Sequence, residues 1–199
     1  MTFLLDRWLG LADRISRYAI WFGGTLVLVS AFVVSVDVLL RKIFLISMGG
    51  SDELSGYAFA IGTAWALGFT LLRRANVRVD ALYTRLPAAL CAVLDIVALL
   101  SLALFLGLLT WQACSVFSTS LAFSARATTP LATPLWIPQG LWFAGYCLFI
   151  FTLVPLLLRA LQALLTGDLP KVRSLAGART IEEDAADEAS HTASLKPLD

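Results

Sequence analysis

The feature that most restricts this chain is an uncharged run with charge of opposite sign at its two ends. Residues 50–80 read GSDELSGYAFAIGTAWALGFTLLRRANVRVD. Ser51, Asp52 and Glu53 stand in front, residues 54–72 carry no charge, and Arg73, Arg74 and Arg78 follow. At 1.5 Å per residue the uncharged part reaches about 28 Å, close to the roughly 30 Å hydrocarbon core of a bilayer. Acids at a helix start and cations at its end both oppose the peptide dipole, and Ser51 is placed to cap the first turn. The arginines also match the positive charge favoured on the cytoplasmic side of a membrane. A transmembrane helix with a fixed direction is predicted, and the rest of the chain must obey that direction.

The composition agrees. Of the 199 residues 59% are hydrophobic and only 15% charged, with a mean hydropathy of +0.82, whereas soluble domains carry about 25% charge. A net charge of +1 without a basic stripe gives no footing for nucleic acid. The cysteines, Cys91, Cys114 and Cys147, fall singly in apolar runs and read as small buried residues. His191 is the one histidine, which removes bis-histidine haem ligation and argues against a histidine metal or catalytic site. No cofactor, metal or catalytic set is expected, and the chain is not expected to be an enzyme.

Taken in order, residues 1–17 are amphipathic. Leu4, Trp8, Leu11 and Ile15 recur at helical spacing among Asp6, Arg7, Asp13, Arg14 and Arg17. They form either a helix lying in the interface or the wet end of the first span. No cleavage site closes the apolar run that follows, so the segment is expected to be retained. Residues 18–40 are the first span, uncharged but for Asp37, which can pair with Arg41 one turn on. Asp37 is read as an acid near a helix end, tied to Arg41 or a neighbouring helix, in preference to a coupling-ion ligand.

Residues 54–72 are the second span, and Gly56, Ala60, Ala64 and Gly68 form a small-residue row through it. Such a row lets another helix approach closely in lipid. The third span is expected over about 88–113 and contains Asp95. Residues 124–138, SARATTPLATPLWIP, hold Pro130, Pro134 and Pro138 and are expected to form a rigid external link. The fourth span is expected over 136–158. From residue 167 onward the composition turns polar and acidic, with Glu182, Glu183, Asp184, Asp187 and Glu188, and a disordered tail is expected.

Lysine and arginine give the orientation. One side of the spans holds Arg7, Arg14, Arg17, Arg73, Arg74, Arg78, Arg85, Arg159, Lys171 and Arg173; the other holds Arg41, Lys42 and Arg126. Both termini are therefore expected in the cytoplasm. The predicted fold is an all-α integral membrane protein with four transmembrane helices over 18–166, an amphipathic start and a disordered tail. Few polar groups fall inside the spans and no internal repeat is evident, unlike a self-sufficient transporter. A subunit that packs against a larger partner is the better reading. A stand-alone exporter or channel and the membrane anchor of another complex are the alternatives.

Four blocks make the reading specific: DVLLRKIF (37–44), GSDELSGY (50–57), LRRANVRVD (72–80) followed by Leu86-Pro87, and PLWIPQ (134–139). In this order, over about residues 15–165, they resemble the small membrane subunit of tripartite ATP-independent periplasmic (TRAP) transporters, the DctQ family. The resemblance implies a place in a bacterial or archaeal inner membrane. It implies two partners, a large multi-span subunit with the substrate and sodium sites and an extracytoplasmic solute-binding protein that delivers an organic acid. It transfers Asp37, Arg41, Ser51, Glu53, Arg74, Asn76, Arg78 and Asp80 as structural or interfacial motif positions, joined here by Asp52, Pro134 and Pro138 as interface candidates. Gly56 departs from the family pattern, which often has arginine there, and the acidic tail runs past the family's usual end.

Overall fold

The helix Ser51–Leu72 begins and ends where its apolar run meets charge, and the helix Ala88–Ala122 begins directly after Pro87. The computed structural model describes residues 2–75, 86–177 and 185. Among these residues five helices follow in order: α1 (Thr2–Phe44), α2 (Ser51–Leu72), α3 (Ala88–Ala122), α4 (Trp136–Leu165) and α5 (Leu169–Ala176). The first four are long and apolar enough to cross a membrane. Among the described residues the remaining regular structure is a single β-bridge, Arg126 to Pro134.

α1 is unbroken over 43 residues, or about 64 Å, twice the hydrocarbon thickness. Residues 2–17 thus continue the first span without a bend in the hydrogen-bonding pattern, as the wet end of that span would. Its inward positions are Leu5, Leu9, Ala12, Ser16, Ala19, Gly23, Leu26, Ser30, Val33 and Asp37, all at least partly buried. They step by four and three in alternation, a 3.5-residue repeat that brings two helices together at a shallow left-handed crossing. The partner along this seam is mainly α2. The tightest approach is at Gly23 and Gly62, where a Cβ on Gly23 would stand 2.8 Å from the Gly62 carbonyl oxygen and one on Gly62 2.7 Å from Val27 Cγ2. Only glycine permits this distance.

α4 is the centre of the bundle. It packs against α1, α2, α3 and α5, and α3 touches α4 and α5, so the helices are ordered α1, α2, α4, α3. Leu153, Thr152 and Pro155 of α4 are almost wholly buried. Gly145 faces Ala64, and its missing Cβ would lie 2.8 Å from the Ala64 Cβ. The indole nitrogen of Trp65 donates to the Leu141 carbonyl at 2.8 Å, and Phe117 of α3 stacks on Phe143 at 6.1 Å.

Three expectations need correction. Ser51 does not cap α2: Gly50 holds that position, and Ser51 is the first helical residue with its hydroxyl turned elsewhere. The small-residue row, expected to bring a helix close within this chain or on a partner, is used inside the bundle at two of its four positions. Ala64 packs on Gly145, and Gly68 lies beside Ser16 and Thr152, whereas a Cβ on Gly56 would meet nothing within 4 Å and Ala60 is half-buried. Of the cysteines only Cys91 is buried; Cys114 and Cys147 lie exposed on helix surfaces, where lipid accepts an apolar side chain as readily as a core does. Finally, the expected disordered tail starts too early. Asp168 accepts the Lys171 amide at 3.2 Å and Pro170 follows, an N-terminal signature for α5. Val172 is fully buried, and α5 packs on α3 and α4. The tail acids from Glu182 to Glu188 lie outside the described residues.

Candidate functional site

The motif residues meet at one end of the bundle, around one carboxylate. Asp37 ends the inward seam of α1, and its side chain is fully buried. Its Oδ2 accepts from the Arg41 guanidinium one turn later and from the Ser51 hydroxyl at 2.7 Å. Its Oδ1 accepts from the Met48 amide at 2.6 Å and lies 3.5 Å from the Ser47 hydroxyl. Arg41 also reaches Ser51 Oγ at 3.2 Å and stands 3.9 Å from Asp52. One buried acid therefore joins the end of α1, the link at 45–50 and the start of α2. An acid so supplied with donors is held by structure and is not offered to an ion. The link can fold back so tightly because Gly49 takes φ +63°, a backbone that costs glycine little.

Glu53 builds the second contact. It accepts from Tyr57 at 2.8 Å and from the Thr129 hydroxyl, which fastens the link at 124–135 over the start of α2. That link is closed on itself by Ala127 to Thr133 at 2.9 Å and Leu135 to Ala125 at 3.0 Å, with the Arg126 guanidinium donating to the Ala132 carbonyl at 3.3 Å. Leu131 lies against Gly50, where a Cβ would strike it. Pro134 forms the bridge to Arg126, and Pro138 is buried in the first turn of α4, where no amide donor is missed. Asp52 is left 87% exposed beside this fastened rim.

The opposite end of the bundle is held by ion pairs. Asp13 meets Arg17 at 3.0 Å and Arg73 at 3.7 Å, and Asp6 meets Arg159 at 2.8 Å. Arg74 reaches the Arg173 carbonyl at 3.5 Å and, with buried Asp95, lines a cavity of about 250 Å³ among Leu71, Leu99, Leu156 and Leu175. Asp95 therefore stands by the end of α2 and Asp37 by its start, about 30 Å apart along a 22-residue helix. They cannot form a catalytic pair. Asn76, Arg78 and Asp80 lie outside the described residues. Sequence reasoning missed Thr129, Met48 and the Gly23–Gly62 crossing, since each acts across a long stretch of chain or through backbone; it also passed over Tyr57, whose partner Glu53 lies only one turn away.

A family model described as "Tripartite ATP-independent periplasmic transporters, DctQ component" matches residues 30–163, more than half of the chain. The chain belongs to the DctQ family. No curated protein and no solved structure gives a match. The matched stretch takes in Asp37, Arg41, Ser51 and Glu53 together with the 124–135 link. A DctQ protein is a transporter component and works with the other TRAP subunits in a membrane complex. The first 29 residues, α5 and the tail lie beyond the match.

Proposed function

We propose that this DctQ chain is the small membrane subunit of a sodium-gradient-driven TRAP transporter that takes up an organic acid such as a carboxylate. It scaffolds a large multi-span subunit in a bacterial or archaeal inner membrane, with both its termini cytoplasmic. It also helps dock an extracytoplasmic solute-binding protein. The observation that carries this reading is the fastened outer rim. Asp37 and Glu53 spend their carboxylates on holding α1, α2 and two links together, and Asp52 is presented on that fixed backbone at 87% exposure. A rigid rim with an exposed acid suits a docking face, because a preformed surface loses little entropy when a partner binds. The positions of Asp37 and Asp95 at opposite ends also support a scaffold over a pore, since neither places charge in the middle of the bundle.

Purification from native membranes in mild detergent tests the reading. The expected result is stoichiometric recovery of a much larger multi-span partner, with uptake of an organic acid restored when both are reconstituted with the binding protein. Transport by this chain alone in liposomes would overturn it in favour of an exporter.

A further inference from the structure

An open groove runs between the first turns of α2 and α4. It holds about 180 Å³ and is lined by Tyr57, Ala60 and Ile61 on one side and by Pro138, Gln139 and Trp142 on the other. That is below the roughly 300–1,000 Å³ of small-molecule sites and leaves room for little more than a side chain. Tyr57, Ala60 and Ile61 lie three to seven residues inside the uncharged run that starts at Leu54, about 5–10 Å from its end. What enters the groove therefore comes from within the bilayer. Glu53 accepts from Tyr57 on one wall and from Thr129 of the link that leads into the other, so the groove is shaped before anything fills it.

Two observations choose the occupant. The first is Gln139, whose Oε1 is buried and receives no hydrogen bond from the described residues. A buried acceptor in that condition costs free energy, so a donor is to be expected in the groove. An acyl chain brings none, whereas a side chain on a helix can. The second is the outward half of the small-residue row. Ala64 and Gly68 are used inside the bundle, but Gly56 is exposed and Ala60 lies half-buried in the groove wall. Gly56 and Ala60 stand four residues apart, the step that lets a second helix bring its backbone close in lipid. A flexible acyl chain needs no such step.

We propose that this groove receives a transmembrane helix of the large multi-span subunit, which crosses α2 at Gly56 and Ala60 and donates a hydrogen bond to Gln139 Oε1. The assignment rests on the scaffold reading above and adds the docking surface to it.

Photocrosslinking of the assembled complex in native membranes tests it. p-Benzoylphenylalanine is placed at Phe59 beside Ala60, at Phe32 of α1 or at Phe105 of α3, all exposed aromatic positions. The Phe59 probe is expected to join the chain to a multi-span protein. Gln139→Leu should lower that yield about threefold to tenfold, as the loss of one buried hydrogen bond would. The same substitution should leave the unfolding midpoint of the purified chain in detergent unchanged, because it removes an acceptor that the chain alone does not satisfy. A multi-span adduct from Phe32 or Phe105 only would overturn the groove assignment and keep the scaffold reading. A Phe59 adduct with lipid alone, or with a second copy of this chain, would overturn it as well, as would a yield that Gln139→Leu leaves undiminished. No multi-span adduct from any of the three positions, with no such partner on purification, would overturn both readings.

Discussion

Asp37 bears more connections than any other side chain of the rim it shares with Ser51 and Glu53. Its carboxylate receives the Ser51 hydroxyl, the Met48 amide and the Arg41 guanidinium. Asp37→Ala would strand all three at once, and a stranded donor costs more than a missing bond. The unfolding midpoint in detergent should therefore fall further for Asp37→Ala than for Ser51→Ala, which removes a single donor. Equal midpoints would mean that the rim is held by other contacts. The Asp37–Arg41 pair was legible in the sequence because an i,i+4 spacing is local. The role of Ser51 was misread as a cap because its true partner lies fourteen residues away. Thr129 carried no signal at all, since it meets Glu53 across 76 residues of chain.

Among the elements, α1 and α2 make the interface on which that rim depends. Gly62→Leu forces a side chain into Val27 and the Gly23 carbonyl and should destabilise the purified chain by about 1–3 kcal/mol, as overpacking does. Gly56→Leu meets open space and should leave the purified chain's stability unchanged. If Gly56 faces the large subunit, the same substitution lowers co-purification of that partner. Thermal unfolding of both variants, with partner recovery for Gly56→Leu, separates internal packing from docking.

The seam of α1 was hidden for a physical reason. Its outward positions Leu4, Leu11, Tyr18, Phe32 and Leu39 are as apolar as its inward ones, because lipid and protein interior both accept apolar groups. Size rather than hydrophobicity marks the inner face: Ala12, Ser16, Ala19 and Gly23 are small. α5 was missed because a polar composition was taken to exclude order, although Asp168 with Pro170 is a helix start.

At the scale of the whole molecule, orientation is the property to measure. Single cysteines at Lys42 and Ala127, in a chain whose native cysteines are replaced, should react with a membrane-impermeant maleimide added to intact spheroplasts. Cysteines at Arg14 and Lys171 should react only after permeabilisation. The reverse pattern would place the termini outside and remove the docking role proposed for Asp52.

Four apolar helices and the family were legible in the sequence. These follow from run length, charge at run ends and short motifs, all properties of neighbouring residues. The tertiary structure alone decided that α4 lies between α2 and α3, that Gly23 meets Gly62, and that Glu53 fastens a distant loop. Lipid removes the hydrophobic contrast that would otherwise reveal which faces turn inward, so helix order rests on the fit of small side chains and on hydrogen bonds that only the assembled bundle brings together.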